Sequence, residues 1–205
     1  MTSRLRSSPL PLPDVDPSSE VDNGSFEGPA VGADWGQYST GGYEVTSAKA
    51  RSVAQAISVT ECGARHKVYV DAPAGSTETI SGYSKAVGTS AGLWNNFSIY
   101  SDVKYTDGTY LWGQCARFAG GTTHWEHSVY SFEVLPGKTV EYLSLYAMYK
   151  NDPTARSTAC FDDVKVLVDL PAVTNGGFEG DYVKADWSNY QDSYTVTTAE
   201  AHLGL

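Results

Sequence analysis

The sequence predicts an all-β fold, an antiparallel sandwich of two sheets, and three observations lead to this prediction. Apolar and polar residues alternate along several short segments, which is typical of half-buried strands. Turn signals such as Asp107-Gly108 and Pro136-Gly137 separate these segments at intervals of about 10 to 15 residues. No segment carries an apolar stripe with helical spacing over a useful length, so the elements are expected to be strands throughout.

The alternation is clearest in residues 97–105. There it predicts a strand with Phe97, Ile99, Val103 and Tyr105 on one face. Three further strands are predicted with shared apolar faces: Tyr130, Phe132 and Val134 in residues 128–134; Val140 and Tyr142 in residues 140–148; Phe161, Val164, Val166 and Val168 in residues 161–168.

Composition narrows the class of protein. The chain has 205 residues, of which 41% are hydrophobic and 19% charged, so it should build a globular core. Its net charge is −10, and its 14 Lys and Arg residues form no run in the sequence, which argues against nucleic-acid binding. No apolar run approaches the length of a membrane span, so membrane insertion is not expected. The 14 Tyr and 5 Trp residues suggest a binding surface as well as a core.

An internal repeat defines the domain organisation. Residues 23–50 and 175–201 match at an Asn-Gly-x-Phe-Glu-Gly motif, at Ala-Asp-Trp and at several later positions. The offset predicts a module over 22–170, and residues 171–205 would be a linker and the truncated start of a second copy. Residues 1–21 are rich in Pro and Ser and are predicted to be a disordered leader.

Three stretches together resemble carbohydrate-binding modules with a galactose-binding-like jelly roll, of the family four, nine and twenty-two type. They are Asn23-Gly-Ser-Phe-Glu27 followed by Trp35, the segment VKYTDGTYLWGQCARFAGGTTHW over 103–125, and Phe161-Asp-Asp-Val164. The resemblance covers 22–170 and implies a jelly-roll sandwich without catalytic activity. It also implies a structural Ca²⁺ between the first and last strands, held by Ser25, Glu27 and one of Asp162 or Asp163, of which Asp162 is preferred; the alternative is that these carboxylates cap turns or face solvent. Calcium binds oxygen ligands such as these.

A sugar site is expected to combine aromatic rings with polar side chains that bond hydroxyl groups. The polar face of strand 97–105 would supply Tyr100, Asp102 and Lys104. Neighbouring strands would add Tyr83 and His127 to the same strip, with Trp94 in a loop beside it. The alternative is that this strip is an ordinary solvated sheet face.

The remaining tryptophans and the cysteines are assigned structural roles. Trp35, its repeat counterpart Trp187, and Trp125 are expected in the core, whereas Trp112 is left open between core and surface. An antiparallel pairing of residues 52–61 with the last strand would bring Cys62 near Cys160, which suggests a disulfide. Cys115 would then be a buried thiol.

Two apparent catalytic motifs are rejected. Gly88-Thr-Ser-Ala-Gly92 has the spacing of a nucleophile elbow, but the residues after it suggest a strand and not the helix that such an elbow needs. His124 and His127 are three apart, and on a strand they would point to opposite faces and share no metal.

The favoured interpretation is therefore a non-enzymatic, extracellular or secreted module that binds a polysaccharide. It would be tethered to a larger protein such as a glycoside hydrolase or a lyase, although no intact signal peptide is visible. The first alternative is a structural or adhesive repeat that self-associates through residues 171–205 by strand addition. The second is an enzyme, such as a jelly-roll polysaccharide lyase.

Overall fold

The computed structural model describes residues 19–28, 31–39, 41–87, 95–119, 123–150 and 158–171. It contains one short helix, α1 (Val31–Asp34), and ten strands. The strands are β1 (Gly36–Tyr38), β2 (Tyr43–Thr46), β3 (Ala56–Val59), β4 (Cys62–Tyr69), β5 (Thr77–Val87), β6 (Phe97–Tyr105), β7 (Tyr110–Arg117), β8 (Glu126–Glu133), β9 (Val140–Tyr149) and β10 (Thr158–Asp169).

The strands form two five-stranded antiparallel sheets. The front sheet has the order β1-β4-β9-β6-β7 and the back sheet the order β2-β3-β10-β5-β8. Consecutive strands repeatedly change sheet, as in the passage from β5 to β6 and from β9 to β10. The predicted jelly-roll sandwich is confirmed.

The core fills the space between the sheets. In β6, alternate residues point into this space. Phe97, Ile99, Val103 and Tyr105 are buried, as predicted, while residues 100, 102 and 104 are half-buried on the opposite side. Phe132 and Val134 are buried as well. The largest fully buried side chains elsewhere are Trp35, Tyr149, Phe26, Phe161, Ile57, Ile80, Leu143 and Leu145.

Two irregularities decide which side chains point inward. Between Asp162 and Lys165 a bulge breaks the pairing of β10 with β5, and it allows Phe161 and Val164 to be buried together despite their odd spacing. A register shift in the pairing of β9 with β6 places buried Val140 opposite Tyr105 but Tyr142 opposite Lys104. The prediction that Val140 and Tyr142 share a face is therefore wrong, because this shift separates them.

The repeated Asn-Gly-x-Phe motif builds the start of the module. The Asn23 carbonyl accepts hydrogen bonds from the indole Nε1 of Trp35 (3.2 Å) and from the Phe26 amide (3.1 Å). The rings of Phe26 and Trp35 lie 5.0 Å apart in the core. Gly24 lies against β10, where its carbonyl accepts the Val164 amide at 2.8 Å. The motif is thus a structural corner, and the core position predicted for Trp35 is confirmed.

The folded module begins slightly before residue 22. The Glu20 amide donates to the Val166 carbonyl at 2.9 Å, the Val166 amide donates to Ser19 Oγ, and Val21 is buried. Contacts divide the chain into two compact units, Met1–Leu170 and Pro171–Leu205. Residues 1–18 and 172–205 lie outside the described residues, so the leader and the truncated second copy stay predictions.

The disulfide predicted between Cys62 and Cys160 is wrong, because Cys62, Cys115 and Cys160 are all free thiols. β3 does pair with the last strand, but Cys160 lies opposite Ser58. Cys62 begins β4 in the other sheet, opposite Tyr149. The two cysteines are therefore in different layers of the sandwich.

Candidate functional site

The outer face of the front sheet carries a dense set of aromatic side chains, which we call the tyrosine face. Because paired residues of antiparallel strands point to the same side, the register identifies them as Tyr38, Tyr69, Tyr100, Tyr110, Trp112, Tyr142 and Tyr146. Trp112 is 62% exposed and Tyr69 is 65% exposed, so large apolar surfaces face solvent.

The side chains of this face are arranged in rows that run across the strands. One row joins Tyr69, Tyr142, Lys104 and Tyr110. The next joins Lys67, Ser144 and Asp102. A third joins Arg65, Tyr146, Tyr100 and Cys115. A polar row therefore lies between two rows that contain tyrosines. With strands about 4.8 Å apart, the five-stranded face is about 19 Å wide.

The rings contact one another in three groups, one of which is the edge-on pair Tyr69 and Tyr142, with centroids 5.7 Å apart. Tyr146 contacts Tyr38 edge-on with centroids 4.8 Å apart, and it lies 5.9 Å from Tyr100. Tyr110 and Trp112 stack almost in parallel at 4.5 Å, with an interplanar angle of 11°. These two come together because positions two apart in a strand share a side.

Asp102 connects the polar row to β7 and to the row that contains Tyr100 and Tyr146. Its Oδ1 accepts the Gly113 amide at 3.3 Å, at the point where the pairing of β6 with β7 is irregular. Burial, followed by a hydrogen bond to Asp102, raises the pKa of Tyr100. Burial and the charge of Asp102 also raise the pKa of Tyr146. Both phenols therefore keep their protons at neutral pH and can donate hydrogen bonds to a ligand.

A pocket of about 410 Å³ opens at the β1–β4–β9 side of this face. Arg65, Lys67, Ser144 and Tyr146 line it from the front sheet. Gly36, Asp34 and His66 complete the wall, and the Asp34 carbonyl contacts His66 Nδ1. Its volume lies within the range of small-molecule sites, about 300 to 1,000 Å³.

The structure divides the ligand strip predicted from the sequence. Tyr100, Asp102 and Lys104 lie together on the tyrosine face. Tyr83 and His127 are paired residues of β5 and β8, so they lie on the back sheet. The prediction of a single strip is wrong, because the chain changes sheet between β5 and β6. Trp94 lies outside the described residues, as does the Gly88–Gly92 motif.

Tyr83 and His127 form a separate stack on the back sheet. Their rings lie 4.4 Å apart, and the Arg51 guanidinium covers the Tyr83 ring at 3.3 Å. Arg51 is also paired with Asp163. This arrangement covers one face of the Tyr83 ring with a protein side chain.

Several residues of the tyrosine face were not predicted from the sequence. In β9, Tyr142, Ser144 and Tyr146 alternate with buried Leu143 and Leu145. In β4, Arg65, Lys67 and Tyr69 alternate with Ala64, His66 and Val68. The same period of two that identified β6 would have found these residues, had it been applied to the polar positions.

The residues predicted to hold calcium lie around the loop between β2 and β3. Glu27 Oε1 accepts the amides of Ala54 (2.8 Å) and Gln55 (3.0 Å). Asp162 is fully buried, and its Oδ2 accepts the amides of Arg51 (2.9 Å) and Ser52 (3.3 Å). Burial raises the pKa of Asp162 to about 6. Ser25 Oγ and Gln55 Oε1 are buried oxygens with no hydrogen-bond partner among the described residues.

Carboxylate and neutral oxygens of this kind are the ligand chemistry of Ca²⁺. The described residues contain no group of three or more His, Cys, Asp or Glu side chains placed to hold a metal. A cation here would therefore depend on neutral oxygens as much as on Glu27 and Asp162.

The other aromatic and histidine predictions have mixed outcomes. Trp125 is half-buried, with Lys85 Nζ 4.6 Å from its ring, so it is not a fully buried core residue. Trp112, left open from the sequence, is on the surface. Both His124 and His127 are exposed, and Trp187 lies outside the described residues.

Among the described residues, no helix has the length and apolar character needed to span a membrane.

No protein-family model matches the sequence, and no curated protein matches it. Solved structures do resemble the chain, and they include modules of the class that its motifs resemble. The CBM22-1 xylan-binding domain of Paenibacillus barcinonensis Xyn10C is 17% identical, with a TM-score of 0.46. The alignment covers 76% of this chain and 94% of that domain.

Two other solved structures show the range of proteins that share this similarity. A structure described as Family 16 Carbohydrate Binding Module-2 is 16% identical, with a TM-score of 0.47, over 72% of this chain and 98% of that one. The enzymatically active domain of tailspike protein 4 from bacteriophage CBA120 is 13% identical, with a TM-score of 0.48, over 74% and 21%. At these values no conclusion about the ligand of this chain rests on the similarity.

Proposed function

We propose that the chain is a non-catalytic polysaccharide-binding module and that the tyrosine face holds the ligand. The observation that carries the proposal is the arrangement of rows, with Lys67, Ser144 and Asp102 between two rows of tyrosines. A sugar ring presents apolar C–H faces and polar edges. Aromatic rings match the former and hydrogen-bonding side chains the latter.

The chemistry of each part of the face follows from its contacts. Tyr146 and Tyr100 offer ring surface and phenolic protons. Asp102 accepts hydrogen bonds from sugar hydroxyls, and Ser144 both donates and accepts them. Trp112, stacked on Tyr110 and 62% exposed, extends the apolar surface to the β7 edge. The Tyr146–Tyr100 group and the Tyr110–Trp112 stack lie on opposite sides of the polar row, which suits an extended chain better than a single sugar.

Substitution of one central tyrosine tests this proposal. Tyr146→Ala should lower the affinity for a bound polysaccharide tenfold or more, about 1.4 kcal/mol, because Tyr146 lines the pocket and contacts two other rings. Tyr146→Phe keeps the ring and should lose less. Affinity gel electrophoresis against a panel of soluble xylans, mannans and β-glucans would identify a ligand, and calorimetry would measure the affinities.

A matched substitution on the other sheet distinguishes the two surfaces. Tyr83→Ala removes an aromatic ring from the back sheet, where Arg51 already covers it. We expect its affinity to equal that of the unaltered protein. A loss with Tyr83→Ala and none with Tyr146→Ala would assign binding to the back sheet and reject the tyrosine face.

The proposal extends to the setting of the module. We propose that it is secreted, works as part of a larger protein, and carries a structural Ca²⁺ near Ser25, Glu27 and Asp162. The buried and unpartnered Ser25 Oγ and the buried Asp162 carboxylate support the cation. When bound, Ca²⁺ would neutralise these carboxylates and tie the β2–β3 loop to β10.

A further inference from the structure

The charge of the tyrosine face differs from that of the chain. The protein has a net charge of −10. Yet the register of the front sheet places Arg65, Lys67, Lys104 and Arg117 on this one face. Lys150 adds a further cation, with its Nζ 5.9 Å from the Tyr38 ring. Among the described residues, three acidic groups lie at or beside this face: Asp102, Asp34 and the exposed Glu141, which neighbours Tyr142 in β9. An acidic protein thus presents a basic binding surface.

The bases at the centre of this face are held by aromatic rings instead of carboxylates. Lys67 Nζ lies 3.8 Å from the Tyr142 ring centre and 5.5 Å from that of Tyr69. Lys104 Nζ lies 4.3 Å from the Tyr110 ring centre and donates to the Gly108 carbonyl. Neither Lys67 nor Lys104 takes part in the ion pairs Arg51–Asp163 and Lys138–Asp107 of the described part of the chain.

A ring holds a cation in place without neutralising it, so Lys67 and Lys104 keep their full charge for a ligand. Burial lowers the pKa of Lys67, but its interactions with Tyr142 and Tyr69 outweigh this effect and raise the pKa. Of these acids, Asp102 already accepts the Gly113 amide. Burial raises the pKa of Tyr43 on β2, and the charge of Asp34 adds to this effect, so part of the influence of Asp34 is directed at the other sheet.

Two of the cations of the tyrosine face line the pocket described above. Arg65 and Lys67 are both exposed and both line it, with Ser144 and the Tyr146 ring beside them. A planar guanidinium matches a carboxylate in a bidentate manner, and a lysine adds a second charge. The combination of a ring, a hydroxyl and two cations fits a sugar ring that carries a carboxylate.

We propose that the ligand is an acidic polysaccharide and that the pocket at β1–β4–β9 receives a uronate carboxylate between Arg65 and Lys67. This rests on the proposed function, because it names the class of sugar that the tyrosine face binds. Lys104 lies further along the face, where it would attract the next acidic unit of the chain.

Matched polymers test the role of the carboxylate. The probes are glucuronoxylan, polygalacturonate and alginate, each beside the same polymer after chemical reduction of its carboxyl groups to alcohols. At low ionic strength, at least one acidic polymer should bind tenfold or more tighter than its reduced counterpart. Salt near 1 M should remove most of the difference, because the charges are exposed and the Debye length falls to about 3 Å.

Substitutions at the pocket test the residues. Arg65→Gln and Lys67→Gln should each bring the ratio of acidic to reduced affinity toward one, and the double variant should abolish the preference. Lys85→Gln, on the back sheet near Trp125, should leave the ratio unchanged. Thermal unfolding of each variant would show that the fold is retained.

Three other binding results would each reject either the uronate inference or the proposed function. Equal, salt-independent binding of acidic and reduced polymers would overturn the carboxylate inference while leaving the proposed function intact. Failure to bind any polymer, acidic or neutral, would reject the proposed function itself. If dextran sulfate bound as tightly as the best uronate polymer, with the same sensitivity to Lys67→Gln, the face would be a general polyanion surface and the uronate proposal would be overturned.

Discussion

Single residues explain why the repeated motif has the composition it has. Asn23 adopts a positive φ of 50° and holds both Phe26 and Trp35 through its carbonyl. A Cβ on Gly24 would meet the Val164 carbonyl oxygen at 2.0 Å. Trp35 was predictable as a core residue because a repeat preserves what the fold needs. The role of Glu27 as a hydrogen-bond acceptor for a distant loop was not, because its partners are 27 and 28 residues away.

Gly63 is a position where the backbone allows no side chain. Its φ is 143°, and a Cβ would lie 2.0 Å from the Ala147 carbonyl oxygen across the β4–β9 pair. Gly63→Ala should therefore destabilise the fold by about 2 to 4 kcal/mol in urea unfolding. Gly32→Ala is the control, because nothing lies within 4 Å of its Cβ and alanine favours the α1 helix by about 1 kcal/mol. Equal stability of the two variants would contradict this reading of the β4–β9 contact.

At the scale of elements, the positions of the strands were easier to predict than the pairing of strands within each sheet. Alternation is local, so β6 could be read from nine residues. The sheet to which a strand belongs depends on long-range pairing, and the β5–β6 connection crosses between sheets instead of forming a hairpin. The prediction of a single ligand strip was wrong because this crossing was not foreseen. Tyr100, Asp102 and Lys104 were correctly placed on the outer side of their own strand. The bulges in β6, β9 and β10 were also invisible to a strict period of two.

The β2–β3 loop and its partners carry the calcium prediction. Saturating Ca²⁺, at about a hundredfold excess over Kd, should raise the melting temperature by about 5 to 10 °C relative to EDTA. Glu27→Gln and Asp162→Asn should remove this shift, whereas Asp169→Asn, exposed at the end of β10, should preserve it. Differential scanning calorimetry measures all four proteins. A melting temperature that is the same in Ca²⁺ and EDTA would argue that backbone amides alone satisfy these carboxylates.

At the scale of the whole molecule, a buried acid couples stability to pH. Glu78 on β5 is fully buried, and both its oxygens lack hydrogen-bond partners among the described residues. Burial raises its pKa to about 7 from a value of 4.5. The folded protein thus binds this proton more tightly than the unfolded chain does. The resulting stability is fully present below about pH 4.5 and is lost as the pH rises through 7.

This loss should amount to at most about 3 kcal/mol, or about 1.4 kcal/mol per pH unit between the two pKa values. Glu78→Gln keeps the shape of the side chain and removes the titration. Urea unfolding of both proteins at pH 5, 7 and 9 should show a steeper decline in the unaltered protein, whereas the variant should keep only the part that comes from other groups such as Asp162, whose pKa is raised to about 6. Parallel pH profiles for the two proteins would mean that Glu78 is not the group responsible.

The way the chain enters and leaves the module has a mechanical consequence. Ser19 and Glu20 are joined to Val166, so the first described residues lie beside β10, the strand with which the module ends. A pulling force along the chain would therefore enter and exit at neighbouring points of the back sheet. It would open the Glu20–Val166 and Gly24–Val164 bonds one after another, before it reaches β1 of the front sheet. A glycan on the tyrosine face would stay held even while its anchor is stretched.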